Sequence, residues 1–233
     1  MSDTAMAYPL TYGYSLVGKV IRCGSAGNKH LMGKHVFTFS PHSSRVIANI
    51  DSVHVVPDGI QPEDAIFLPS VETALSIIHD AHIRMGERVA IFGQGLIGLL
   101  VTSILSMNKE EMKADSQGLL FDTVTVFDTI LDRLAIASKV GASEALLPSS
   151  AMSAGPFDAT IEVSGNGRAL QSAIDCTRDH GRIIIGSWYG NTDVPLSLGM
   201  DFHRSHKTLL ATQVSEIPPA LRGIWSKGTC LDY

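Results

Sequence analysis

Apolar and polar positions follow two different rhythms along the chain. Up to Pro62 the apolar runs are short. Residues 17–22, 35–39 and 45–48 lean toward β structure, separated by Gly24-Ser25-Ala26-Gly27-Asn28, Met32-Gly33 and Ser40-Pro41-His42-Ser43-Ser44. This punctuation predicts a small β-rich module over residues 1–62. The texture changes at Pro57-Asp58-Gly59 and Gln61-Pro62-Glu63-Asp64. Ala74, Leu75, Ile77, Ile78 and Ala81 then recur at helical spacing within residues 65–82. Pro69 should interrupt that helix or mark its start, because proline has no N–H to donate to the preceding turn. Residues 63–85 are thus expected to link two domains through a helix.

From Gly86 the pattern alternates. Strand-like segments at 88–92, 123–127, 145–147, 159–163, 182–185 and 208–212 are separated by helix-length segments at 96–106, 131–140 and 169–176. The polar stretch 108–118 is expected to form a surface loop inserted after the first of these helices. Strands apolar on both faces imply a parallel sheet covered on both sides. The expected fold is therefore α/β, a Rossmann-type doubly wound domain over residues 86–213, with residues 214–233 trailing it.

Composition narrows the function classes. The 233 residues are 45% hydrophobic and 18% charged, with net charge -5 and no basic stripe of the kind a nucleic-acid surface needs. No apolar run approaches about eighteen residues, so no membrane span is expected. Cys23, Cys176 and Cys230 lie too far apart for a CxxC pair or a disulfide framework. The first residues lack the basic-then-apolar layout of a signal peptide, so a cytoplasmic protein is expected.

Gly93-Gln94-Gly95-Leu96-Ile97-Gly98 satisfies G-x-G-x-x-G between a β-branched strand and an apolar helix. In that context the first glycine permits a tight turn, the second admits a pyrophosphate to the backbone, and the third lets helix and strand pack closely. The helix N-terminus adds free N–H groups and partial positive charge. The next strand ends at Asp128, where a carboxylate can accept hydrogen bonds from ribose hydroxyls and would repel a 2′-phosphate. This favours NAD over NADP. Asp128 lies 30 residues beyond Gly98, against a usual interval of about 20, and the excess matches the polar stretch. Asp128 could instead be a helix N-cap. Arg133 could lie against adenine or form a surface salt bridge.

These segments resemble the medium-chain dehydrogenase/reductase family, whose motif order is followed by Tyr12-Gly13-Tyr14-Ser15-Leu16-Val17-Gly18-Lys19-Val20, Thr73-Ala74-Leu75 and Gly86-Glu87-Arg88-Val89. The order continues through the glycine turn, Asp132-Arg133-Leu134, Val140-Gly141-Ala142, Glu162-Val163-Ser164-Gly165 and Gly181-Arg182. Ser40-Pro41-His42, Gly186-Ser187-Trp188-Tyr189-Gly190 and Asp201-Phe202-His203-Arg204 bring it nearest the subgroup around 2-desacetyl-2-hydroxyethyl bacteriochlorophyllide a dehydrogenase. The resemblance implies a GroES-like β domain beside the Rossmann domain, hydride transfer in a cleft, and possible homodimerisation through the Rossmann sheet. Both ends are short against that family, so the GroES-like domain is expected to be partial and residues 214–233 a remnant of the substrate-domain segment. Tyr14 and Ser15 stand where zinc-dependent relatives carry a ligand His and its Glu, and Leu68-Pro69-Ser70 where another ligand falls. The four-cysteine lobe is missing, so no zinc is expected.

Without zinc, another group must stabilise or protonate a developing alkoxide. Tyr14 and Ser15 are candidates, although Tyr14 could simply pack in the β core. Glu72 could relay a proton or only complement a helix dipole, and His42 could shuttle a proton or be an ordinary loop histidine. Ser164, Gly165, Gly186, Ser187 and Trp188 end two successive strands, where nicotinamide contacts are expected, alongside Gly93, Gly95, Leu96, Ile97, Gly98, Asp128 and Arg133 for the rest of the cofactor. His203 and His206 could pair on a metal, but surface residues are the better reading. The expected activity is NAD(H)-dependent, zinc-independent hydride transfer between a nicotinamide and a secondary alcohol or ketone. A quinone or enone reductase, or a non-catalytic nucleotide-binding protein, would also accommodate these residues.

Overall fold

The computed structural model describes residues 11–114 and 121–214, with side chains described outside 108–122. The chain divides into two compact units that meet in sequence between Pro69 and Ser70.

The first unit holds a three-stranded antiparallel sheet: β1 (Leu16–Lys19), β2 (His35–Thr38) and β3 (His54–Val55), in that order. Val17 faces Phe37 across the β1–β2 pair, and Phe37 is buried. The segment 45–48, expected as a strand, is irregular, and His54–Val55 takes the place beside β2. A strand needs a partner for its ladder, and β-leaning residues without one remain a loop. A short helix, α1 (Pro62–Ala65), follows.

Helix α2 (Leu68–Ala81) carries the chain from one unit into the other, with Pro69 in its first turn, where the missing N–H costs nothing. In the second unit, β4 (Glu87–Phe92), α3 (Leu96–Ala114), β5 (Phe121–Phe127), α4 (Leu131–Lys139) and β6 (Glu144–Leu146) form the first half. The second half comprises α5 (Ala151–Ala154), β7 (Phe157–Glu162), α6 (Gly167–Asp175), β8 (Thr177–Ile185), α7 (Asp201–Arg204) and β9 (Thr208–Ala211). The six strands are parallel in the order β6-β5-β4-β7-β8-β9. The order therefore reverses between β4 and β7, which makes a crevice at their carboxyl ends the natural ligand position.

Alternation along β4 explains the two-sided core. Val89 and Ile91 pack with Ala74 and Ile77 of α2, Val101 and Leu105 of α3, and Leu134 of α4. Ala90 and Phe92 face the other way, toward Leu170 and Ile174 of α6. Phe92 stacks on Phe127 at 4.7 Å between ring centroids. One expectation fails here. Helix α3 continues through residues 108–114, which were expected to form a loop. Lys, Glu, Met and Ala in that stretch are strong helix formers despite their polarity.

A buried ion pair closes the opposite end of the sheet. Arg182 of β8 donates to both oxygens of Glu87 at 2.9 and 2.5 Å, and to the carbonyls of Ala81 and His82 at the end of α2. Burial works to raise the Glu87 pKa. The Arg182 hydrogen bonds, with the Arg84 backbone N–H, overcome it and hold the carboxyl below its ordinary value. A carboxylate whose folded pKa is depressed adds stability above its unfolded pKa and loses it as pH falls through the folded one. Arg182→Met should therefore cost about 3 kcal/mol at pH 7, because it leaves Glu87 buried without a counter-charge. In urea titrations the gap to wild type should narrow as pH drops below the ordinary Glu value of 4.5. A gap that stays constant into acid would mean that Arg182 acts by packing alone.

Candidate nucleotide-binding site

The glycine turn sits at the reversal of strand order, and three strand ends converge on it. The Gly93 N–H donates to the Phe127 carbonyl at 2.8 Å, and the Val163 N–H donates to the Phe92 carbonyl at 2.9 Å. Gly93 has φ +99°, and a Cβ there would lie 2.7 Å from the Ser164 backbone. A Cβ on Gly98 would meet the Gly93 carbonyl oxygen at 1.9 Å. These two positions exclude any side chain for internal reasons. Gly95 differs: its φ is outside the left-handed region, and nothing lies within 4 Å of where its Cβ would be. Its missing side chain therefore opens space on the ligand side of the turn. The Gly95 carbonyl accepts from the Leu99 N–H at 2.9 Å, so it starts the hydrogen-bond ladder of α3. The N–H groups of Leu96, Ile97 and Gly98 consequently have no acceptor within the helix and are suited to an anion.

Buried polar side chains hold this turn. Gln94 is fully buried; its Nε2 donates to the Gly93 carbonyl at 3.0 Å. Thr102 Oγ1 lies 3.1 Å from Gln94 Oε1 and 2.8 Å from the Gly98 carbonyl. Asp128, 7% exposed, accepts from the Gln94 N–H at 2.6 Å through Oδ2 and from the Ile130 N–H at 2.9 Å through Oδ1. It is thus neither a solvated cap nor a free carboxylate: it locks β5 to the glycine turn. Arg133 is half-exposed, with Nη1 3.8 Å from Asp128 Oδ2.

A second network lies at the ends of β7 and β8. Glu162 is fully buried. Its Oε1 accepts from the N–H and the hydroxyl of Ser164, each at 2.6 Å, and its Oε2 accepts from the Tyr189 hydroxyl. The Gly165 N–H donates to Ser187 Oγ at 2.8 Å. Burial, with the Glu162 carboxylate beside it, pushes the Tyr189 phenol above its ordinary range. Gly186 is packed: its Cβ direction points at Ile77 and Val163. Trp188 is 90% exposed.

The structure therefore brings Gly93, Gly95, Leu96, Ile97, Gly98, Asp128, Arg133, Ser164, Gly165, Gly186 and Ser187 to the carboxyl ends of adjacent strands. Tyr14, Ser15 and His42 belong to the other unit. Tyr14 is more than half exposed instead of lying in the β core, edge-on to Tyr12. The Ser15 hydroxyl donates to the Ile66 carbonyl at 2.5 Å. His42 is exposed, its N–H on the Tyr12 carbonyl. Glu72 is half-buried in the first turns of α2. His206 stacks on His180, and both are exposed, as is His203. Among the described residues no group of three or more His, Cys, Asp or Glu side chains is arranged to hold a metal. Glu162, Tyr189, Gln94 and Thr102 were not picked out in the sequence as site residues. The available signal was an acid continuing an otherwise apolar strand, Ala159-Thr160-Ile161-Glu162.

No protein-family model matches the chain. It is 26% identical over 227 residues to D-guloside 3-dehydrogenase of Escherichia coli, covering 92% of this chain and 62% of that protein. It is 27% identical over 229 residues to L-threonine 3-dehydrogenase of Anaeromyxobacter dehalogenans, covering 79% of this chain and 61% of that protein. The chain thus spans about three fifths of the length of these curated relatives. Among solved structures, galactitol-1-phosphate dehydrogenase from Escherichia coli matches with a TM-score of 0.74 at 18% identity, over 98% of this chain and 73% of that one. In sequence over most of its length, and in fold, this chain is similar to these dehydrogenases.

Proposed function

We propose that this chain is an NAD(H)-dependent oxidoreductase that moves a hydride between the nicotinamide and a secondary alcohol or its ketone, without zinc. The observation that carries the reading is the buried Asp128 carboxylate, hydrogen-bonded to the backbone of a glycine turn whose second glycine faces open space. That set fits a dinucleotide. The N–H groups of Leu96, Ile97 and Gly98 would hold the pyrophosphate, Gly95 would admit it, and Asp128 would accept from the adenosine ribose. Asp128 has already filled one lone pair on each oxygen with a backbone N–H. Each carboxylate oxygen can accept again, so the ribose hydroxyls retain acceptors. A 2′-phosphate would meet a fixed negative charge there, with only the half-exposed Arg133 to offset it. Ser164, Gly165 and Ser187 would flank the nicotinamide end.

Bound NAD(H) supplies the hydride chemistry. What the chain's own residues must add is orientation and a proton path. Ser15 can serve as a donor to substrate only by releasing the Ile66 carbonyl, whereas the exposed Tyr14 has no such bond to break among the described hydrogen bonds. The donor set at the positions matching the family's zinc ligands is Tyr14, Ser15, Leu68, Pro69 and Ser70. It offers hydroxyl and apolar groups in place of thiolate, imidazole and carboxylate, and does not fit zinc. The 26% and 27% identical relatives are a D-guloside 3-dehydrogenase and an L-threonine 3-dehydrogenase, and the substrate proposed here is a small alcohol or ketone. The hydroxyethyl tetrapyrrole of the subgroup resemblance carries the same reacting group, a secondary alcohol, on a larger molecule.

Gly95→Val tests the ligand side of the turn. It should leave the urea midpoint close to wild type, since nothing lies within 4 Å of the new Cβ, and weaken NADH binding by about a hundredfold as a side chain fills the pyrophosphate approach. Unchanged binding by calorimetry would remove the turn from the site. Wild-type protein should also prefer NADH to NADPH, and Asp128→Asn should reduce that preference about tenfold by removing the charge. Equal affinities in the wild type would refute the role given to Asp128. With NADH bound, a panel of alcohols, ketones and quinones decides the chemistry. Turnover of ketones is expected; preference for quinones makes it a quinone reductase, and turnover of none makes it a nucleotide-binding protein without this activity.

A further inference from the structure

Two loops follow the central strands β7 and β8, and both converge on one buried carboxylate. Ser164 reaches Glu162 from the first loop through its N–H and its hydroxyl, and Tyr189 reaches it from the second through its phenol. The two loops are bonded again outside that point, where the Gly165 N–H donates to Ser187 Oγ and the Gly186 N–H donates to the Glu162 carbonyl at 2.9 Å. Every described donor to the Glu162 side chain is an N–H or an O–H; no Lys or Arg pairs with it among the described ion pairs. A fully buried carboxylate without a cation is costly, and alternatives that leave its oxygens unfilled are costlier still. The carboxylate therefore acts as a template: a loop arrangement that withdraws Ser164 or Tyr189 leaves one of its oxygens unfilled.

We infer that Glu162 is a positioning residue, whose buried carboxylate clamps the turn at Ser164–Gly165 to the turn at Ser187–Tyr189 and so shapes the wall beside a bound nicotinamide. The inference rests on the cofactor reading above. Glu162 itself is shielded from the crevice and touches no ligand; it acts through Ser164, Gly165 and Ser187. The adenosine half, held by Asp128 and the glycine turn, lies on the β4 and β5 side and is served by a separate set of bonds. The clamp should therefore be felt at one end of the dinucleotide and not at the other.

Glu162→Gln keeps the size of the side chain but replaces one acceptor oxygen by an NH2, which either opposes the Ser164 N–H, donor against donor, or takes the Tyr189 side and deprives the phenol proton of its acceptor. Tyr189→Phe removes one donor and leaves the carboxylate in place, which covers the case that Glu162→Gln does not fold. Each variant is titrated by calorimetry with NADH and with ADP-ribose, which lacks the nicotinamide, and the emission of bound NADH is recorded. Glu162→Gln should weaken NADH about tenfold and ADP-ribose less than about twofold, the scale of a disrupted hydrogen bond to a charged group. The enhanced emission of bound NADH should fall with it. Tyr189→Phe should change both readings in the same direction by a smaller factor. Equal losses for both ligands, or no loss for either, would overturn the positioning role while leaving the cofactor reading intact. Wild-type protein that binds neither ligand would overturn the cofactor reading, and this inference with it.

Discussion

The close approach of backbone to backbone at Gly93 is the constraint on which the glycine-turn end of the second unit depends. At that one residue β4 ends, its N–H is taken by β5, its Cα lies against the loop after β7, and its carbonyl lies beneath the first turn of α3. Side-chain volume at Gly93 or Gly98 would force apart elements that the buried core has already brought together. The sheet order, with β4 and β7 side by side at the reversal, and the helix N-terminus at the crevice are two consequences of the same approach. A steric rule, more than any attraction, sets the geometry here.

Around that approach the protein buries polar groups that a core would ordinarily exclude. Gln94, Thr102, Asp128 and Glu162 are all nearly or fully buried, and each has hydrogen-bond partners in neighbouring elements. Such groups add little net stability, because bonds to water are exchanged for bonds within the protein. Their effect is selective: arrangements that leave one unsatisfied are raised by the full desolvation cost. They appear at the strand ends facing the crevice, where apolar packing runs out and loops must still be held in one shape. The Arg182–Glu87 pair does the equivalent work at the other end of the sheet, fixing the end of α2 to the start of β4 and the middle of β8.

What could be read in the sequence follows from how local each cause is. β4 and the end of β8 were legible because burial leaves unbroken apolar runs, Val89-Ala90-Ile91-Phe92 and Ile183-Ile184-Ile185, and the glycine turn because its steric demands fall within six residues. The polarity of residues 108–114 misled, since polarity and helix breaking are separate properties and Lys, Glu and Ala favour helix. Residues 45–48 misled in the opposite sense, through strand propensity without a pairing partner. Asp128 was legible as an acid after a strand, yet its partner Gln94 lies 34 positions away and looked like a spacer. Glu162 and Tyr189 are 27 positions apart. Nothing in either local segment announces the other, because the pairing exists only once β7 and β8 are adjacent.

The same distinction separates the two halves of the proposed activity. Nucleotide binding in this fold is performed mainly by backbone groups and glycines, whose requirements are steric and survive at identities near 26%. Proton transfer is performed by individual side chains, and the proposed reading gives that part to Tyr14 and Ser15, which the family resemblance sets at the positions of zinc ligands. A neutral hydroxyl stabilises a developing alkoxide less than a metal does, so more of the barrier must be met by orientation. On that reading the walls of the proposed nicotinamide pocket would carry more demand than those of a metal-dependent enzyme. A buried, cation-free carboxylate that penalises withdrawal of either loop is a physical means of meeting that demand, since it converts desolvation cost into rigidity where the ring would rest.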